Sequence, residues 1–322
     1  MILNPNLFSK NVEQVPTRNG YGDGLLWLGE HDPRVVVLTG DLAESTRVLG
    51  FQQTFPDRFV ECGVAEQNMM GVAAGLALSG KIPFVSSYGV FVPGRCWDQL
   101  RISVCYSNAN VKIAGAHTGI SVGPDGATHQ ALEDIAITRV LPNLVVIAPC
   151  DYLETKKATI AATKFVGPVY FRFAREKTPI ITTVKTPFKI GQHLVLQEGR
   201  DVTIAACGPL LYEALIAAQI LKKHKISAEV INCHTLKPFD EATLVKSVKK
   251  TRCCVTVEEH QTIGGLYGAV AETLGRLAPV PIEAIGMQNS FGESGEPRQL
   301  LEKYKMTAKD IVEKARRAIK RK

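Results

Sequence analysis

The chain has 322 residues, 45% hydrophobic and 21% charged, with a formal net charge of +7. That length exceeds one ordinary core and predicts two domains, and the composition is that of a globular protein. The basic excess gathers late, in Lys314, Arg316, Arg317, Lys320, Arg321 and Lys322, without the interleaved aromatics that a nucleic-acid surface uses, and no apolar run reaches the length of a membrane span. Neither a nucleic-acid nor a membrane partner is expected. Residues 1–15 are polar and show no cleavable signal. Eight cysteines are scattered, none with Cys-x-x-Cys spacing, which argues against a zinc or redox motif. A reducing, cytoplasmic setting is expected.

Gly22-Asp23-Gly24 comes first in chain order. This triplet can open a diphosphate–metal motif, but no apolar strand precedes it and no Asn follows until Asn68. Without that context it is read as chance. Residues 35–39 form a first strand ending at Gly40-Asp41, and residues 58–62 a short second one. A helix spans residues 65–78. A strand follows at 82–87, a helix at about 95–107, and a strand at 111–116 that runs into a Gly-rich loop. Residues 144–148 and 169–173 complete a sheet. The Pro- and Thr-rich stretch 176–191 reads as a linker.

A second unit has strands at 202–206, 228–232 and 253–257. Gly208-Pro209 opens one helix and Gly264-Gly265 precedes another at 266–277. Alternating strands and helices predict an α/β protein with mostly parallel sheets. The domains are placed at residues 1–185 and 190–322.

One acid stands out. Glu66 opens the nearly apolar run Met69-Met70-Gly71-Val72-Ala73-Ala74-Gly75-Leu76-Ala77-Leu78. A carboxylate suits a helix start. If that end is buried, the charge needs a partner, and a ligand nitrogen is one candidate.

Five segments fall at the ends of the first domain's strands, where open α/β sheets bind ligands. They are Gly40-Asp41-Leu42-Ala43-Glu44-Ser45, Val64-Ala65-Glu66-Gln67-Asn68, Ser87-Tyr88-Gly89-Val90-Phe91, Ala116-His117-Thr118-Gly119-Ile120 and Gly123-Pro124-Asp125-Gly126-Ala127-Thr128-His129-Gln130. Together they closely resemble the pyrimidine-binding domain of transketolases. The stretch from Val257 to Leu266 resembles the C-terminal domain of the same family. In full-length members a diphosphate-binding domain precedes these two. The chain therefore resembles the C-terminal subunit of a split transketolase.

The resemblance implies a thiamine-diphosphate-binding fold followed by a smaller α/β domain. The implied activity is transfer of a two-carbon ketol unit from a ketose phosphate to an aldose phosphate, as in the pentose phosphate pathway. The implied cofactors are thiamine diphosphate and Mg2+ or another divalent metal. The metal would be held mainly by a separate N-terminal diphosphate-binding subunit, in a heterotetramer built on self-association of this chain. Glu66 would bond the pyrimidine N1′ and favour the tautomer that accepts the thiazolium proton. Phe91 would stack on the pyrimidine, with Asp41, Leu42, Tyr88 and Trp97 also at the cofactor. Arg18, Ser45, His117, Asp125, His129 and Arg175 would bind the sugar phosphate, with His129 near the reacting carbon. Arg172 is the alternative to Arg175.

Glu258-Glu259-His260 is expected to be a strand-end loop at a domain contact. Residues 91–95, Phe91-Val92-Pro93-Gly94-Arg95, depart from the usual pattern. A 1-deoxyxylulose-5-phosphate synthase, a 2-oxoacid dehydrogenase β subunit and a non-catalytic regulatory subunit are the competing readings. His117, Asp125 and His129 favour a sugar substrate.

Overall fold

The computed structural model describes residues 2–322. Its strands in chain order are β1 (Gln14–Pro16), β2 (Val35–Thr39), β3 (Phe59–Glu61), β4 (Ile82–Tyr88), β5 (Lys112–Ala116), β6 (Val145–Ile147), β7 (Val169–Phe173) and β8 (Lys177–Pro179), followed by β9 (Leu194–Gln197), β10 (Val202–Ala206), β11 (Ala228–Asn232), β12 (Thr235–Lys237), β13 (Cys254–Gln261) and β14 (Ile282–Met287). The larger sheet has the order β12-β6-β7-β5-β4-β2-β3, and the smaller β14-β13-β10-β11-β9. Within these two sheets, among the described residues, only the edge strands β12 and β9 run antiparallel. The strands β2, β5, β7, β10 and β11 are buried throughout, as expected where helices cover both faces of a parallel sheet. The α/β architecture with two mostly parallel sheets is as the sequence implies.

The strands that the sequence revealed are these buried ones together with β4, β6, β13 and the short edge strand β3. It missed the short ribbon β1–β8, which pairs antiparallel and places a strand inside the stretch read as a linker. It also missed the edges β9 and β12, and β14. The strand read as 253–257 extends to Gln261. Glu258-Glu259-His260 is thus strand rather than loop, and all three side chains are buried. They tolerate burial because each side chain meets backbone N–H or C=O groups. The helix expected at 95–107 begins as a short turn, Trp97–Gln99, and continues with the wider π spacing over Leu100–Tyr106.

Gly22-Asp23-Gly24 lies inside the helix Thr17–His31. A Cβ at Gly20 would stand 2.1 Å from the Tyr152 carbonyl oxygen, and one at Gly24 would stand 2.8 Å from Thr159 Cβ. These glycines allow close packing against the helix Tyr152–Thr163, and the Asp23 carboxylate accepts the Tyr152 hydroxyl at 2.5 Å. The triplet serves helix packing.

Candidate active site

Parallel neighbours in the larger sheet bring the C-terminal ends of β3, β2, β4, β5 and β7 side by side. Asp41 and Leu42 follow β2, the helix Glu66–Leu78 follows β3, Tyr88 closes β4, His117 follows β5, and Arg175 lies just past β7. This is the crevice where open α/β sheets hold ligands.

Glu66 is buried, with 1% of its surface exposed. Its partner within the chain is Arg95, whose Nη1 donates to Oε2 at 2.8 Å. Arg95 is 45% exposed at the side chain, and its guanidinium lies over the Phe91 ring at 4.5 Å from the centroid. A flat cation with N–H donors thus rests on an aromatic face and points at a buried carboxylate. Sequence reasoning missed Arg95. Its signal was the four-residue spacing from Phe91, closed by the Arg95 N–H to the Phe91 carbonyl at 2.9 Å.

Aromatic rings gather beside this pair. Tyr88 stacks on His117 at 4.1 Å and lies 6.0 Å from Phe91. His129 meets both Tyr88 and Phe91 edge-on, at 6.0 and 5.7 Å. The His129 Nδ1 lies 2.9 Å from the Thr128 hydroxyl. Trp97 does not join the cluster. Its indole N–H donates to the Ile137 carbonyl at 2.9 Å, and its ring packs on the apolar core.

A cationic pocket continues from the rings. Arg18 Nη1 reaches the Ser45 carbonyl at 2.9 Å and His117 Nε2 at 3.0 Å. As the donor must be Arg18, His117 accepts and is neutral at that nitrogen. Burial, with Arg18 and Arg175 nearby, pushes the His117 pKa down to about 3. Burial, with Arg47 and Arg175, also lowers that of Arg18. Arg175 pairs with Asp125 at 3.0 Å. Buried Arg18 Nε and His117 Nδ1 have no hydrogen-bond partner among the described residues. Unpaired buried donors beside several guanidiniums suit a bound anion. Asp41 is exposed at the rim, and its N–H donates to Glu61 at 2.8 Å.

Arg172 is not an alternative to Arg175. It is buried, bonds both carboxylate oxygens of Asp134 and reaches the Glu259 carbonyl at 2.5 Å. Glu258 and Glu259 point to different places. Glu258 accepts the N–H groups of Leu266 and Tyr267 at the start of the helix Leu266–Leu277, and Glu259 accepts the N–H of Ser121.

A buried helix-start acid, an aromatic wall and a cationic pocket at the strand ends of a parallel sheet define an α/β ligand site. Comparison with known proteins specifies the family. Residues 13–180 match the transketolase pyrimidine binding domain, and residues 191–311 the transketolase C-terminal domain. The chain belongs to the transketolase family. A solved structure described as "Split gene transketolase, inactive beta4 tetramer" matches 96% of this chain and 100% of its own, at 44% identity and a TM-score of 0.89. The 6-deoxy-6-sulfo-D-fructose transketolase subunit SqwH of a Clostridium species is 42% identical over 98% of each chain. An apulose-4-phosphate transketolase subunit of Phocaeicola vulgatus is 34% identical over 95% of this chain and 98% of its own.

Proposed function

We propose that this chain is the pyrimidine-binding and C-terminal part of a thiamine-diphosphate-dependent transketolase that moves a two-carbon ketol unit between sugar phosphates. The observation that carries the reading is Glu66, buried at the head of its helix and paired, among the described residues, with a half-exposed guanidinium lying on Phe91. The place Arg95 occupies suits a flat heteroaromatic ring with a nitrogen toward the carboxylate. The residues therefore fit the aminopyrimidine of thiamine diphosphate, which when bound supplies the carbanion chemistry of ketol transfer.

Glu66 would hold a proton at the ring nitrogen in a site of low dielectric, where a hydrogen bond is strong. Phe91 would set the ring plane and Tyr88 would back it, with Asp41 and Leu42 at the rim. His129, in edge-on contact with both rings, would move a proton at the reacting carbon. Arg18 and Arg175 would grip the phosphate, with Ser45 and His117 beside it. Asp125 would orient a sugar hydroxyl. Sulfonate and phosphate share the anionic chemistry of that grip, so the related sulfofructose enzyme widens the donors worth testing.

The diphosphate end and its divalent metal would be held by a separate subunit. Self-association to a heterotetramer belongs to the same reading, as does the division at residues 1–185 and 190–322. It is supported by the relative described as a beta4 tetramer and by the face of the Glu66 helix. There Gly71 and Gly75 have no described residue, apart from their chain neighbours and their own helix backbone, within 4 Å of where a Cβ would stand, and Leu78 is 71% exposed. Such an open small-residue surface admits a close helix neighbour.

The test is a coupled assay of the assembled pair with xylulose 5-phosphate or 6-deoxy-6-sulfofructose as donor and ribose 5-phosphate as acceptor. Turnover that vanishes in Glu66→Gln, with assembly intact, supports the reading. Turnover with pyruvate alone, or a fully active Glu66→Gln enzyme, overturns it.

A further inference from the structure

The loop between His117 and Gln130 is clasped from behind by the C-terminal part of the chain. Glu259 is 4% exposed, and its Oε2 accepts the Ser121 N–H at 3.0 Å. Gly119 lies directly against that oxygen. Its φ is +88°, and a Cβ there would stand 2.4 Å from Oε2. The carboxylate thus fits because residue 119 has neither a side chain nor a steric penalty at positive φ.

Further along, Gln130 Nε2 donates to the Glu293 carbonyl at 2.9 Å and to the Ile120 carbonyl at 3.2 Å. Gly123 and Gly126 close on Pro297 and Ser294, where added Cβ atoms would stand 3.0 and 2.5 Å away. Arg172 fixes the Glu259 backbone through its carbonyl while pairing with Asp134. Backbone, side-chain and packing contacts from one domain converge on a loop whose outer surface presents Asp125, paired there with Arg175 from beyond β7.

We infer that Glu259 is a positioning residue for substrate: a buried carboxylate of the C-terminal domain that fixes residues 119–126 and, through them, the Asp125–Arg175 pair. This rests on the reading of His117, Asp125 and Arg175 as the sugar-phosphate site. It gives the second domain a task in the first domain's chemistry. Glu259 touches no reacting group and acts through the Ser121 amide. Burial raises its pKa, while the Ser121 bonds and the Arg172 charge pull it back.

The experiment compares Glu259→Ala with Glu259→Gln in the chain assembled with a diphosphate-binding subunit. The alanine removes the acceptor of the Ser121 N–H, whereas the glutamine retains a carbonyl oxygen there. Misplacement of binding groups is expected to raise the donor KM roughly tenfold or more in Glu259→Ala. The kcat should fall less, and thiamine diphosphate should bind with unchanged affinity, since Glu66 and Phe91 lie on other elements. Glu259→Gln should recover most of the KM. Hydrogen exchange of residues 119–126 in the isolated chain should quicken in the alanine variant alone.

An unchanged KM and unchanged exchange in Glu259→Ala would overturn the inference. So would a glutamine variant as impaired as the alanine one. If the alanine variant fails to fold, Gly119→Ala, which drives a methyl group at the carboxylate, should reproduce the faster exchange in a folded chain; unchanged exchange there refutes the clasp. If the wild-type pair turns over no sugar phosphate, the substrate reading fails, while loop exchange still decides whether Glu259 fixes the loop.

Discussion

Arg95→Ala tests the Glu66 pocket through two effects of opposite sign. The substitution removes a charge-assisted bond of 2.8 Å and a guanidinium–ring contact at 4.5 Å. A hydrogen bond to a charged group contributes about 1.5–3 kcal/mol, and an exposed cation–π contact about 0.5–1 kcal/mol. With Arg95 45% exposed, solvent screening favours the low end, for a total of about 2 kcal/mol. The isolated chain should lose that much stability, because Glu66 remains buried without its cation.

Cofactor binding should respond the other way. If the aminopyrimidine takes the place of the guanidinium on Phe91, the ligand no longer displaces those contacts in the variant. Its affinity should rise by up to the same amount, roughly 30-fold. Urea unfolding of the isolated chain reads the first effect, and titration calorimetry of the assembled enzyme with thiamine diphosphate reads the second. Unchanged stability, or weaker cofactor binding, would refute the argument that Arg95 holds the pyrimidine's place.

Two further outcomes follow from buried groups elsewhere. Arg172→Met strands Asp134, 1% exposed, with the Tyr170 hydroxyl as its remaining side-chain donor. It should cost about 3–5 kcal/mol in urea unfolding, most of it restored by adding Asp134→Asn; a loss below about 1 kcal/mol would contradict the pair's role in joining the domains. His117 supplies a pH test. Its folded pKa of about 3 lies below an unfolded value near 6.5, so stability is full above that value and is lost as pH falls from about 6.5 toward 3. At pH 5 the cost is about 2 kcal/mol. His117→Asn should flatten the fall in urea midpoint between pH 7.5 and 5, and parallel profiles would refute the assignment.

The elements legible in the sequence were those whose hydrophobic pattern is dictated by local burial. The largely apolar, fully buried strands β2, β7, β10 and β11 and the helix Leu266–Leu277 lie where the runs predict. What escaped is set by long-range partners. Glu258-Glu259-His260 reads as loop because three polar residues rarely continue a buried strand, and their partners lie up to 138 residues away in the chain. The family resemblance implies Trp97 at the cofactor, but its indole bonds the Ile137 carbonyl 40 residues on. Arg172 lies on the buried strand β7 and Arg175 in the bend just beyond its end, so the point where the strand stops decides which becomes core and which meets solvent. The Glu66 pocket was legible in its acid and its aromatic ring. Its arginine was not, because residues 91–95 depart from the familiar pattern.

The strand β12, Thr235–Lys237, lies beyond the smaller sheet's β11 in the chain but completes the larger sheet beside β6. Its Lys237 also donates to the Arg139 carbonyl at 3.0 Å. The chain therefore crosses back after leaving the first domain and seals that domain's open margin. A fragment cut in the stretch 186–190 would bare the β6 backbone as a template for another strand. The first domain borrows its border from the second, so the two are better expressed, evolved and redesigned as one piece than as exchangeable modules.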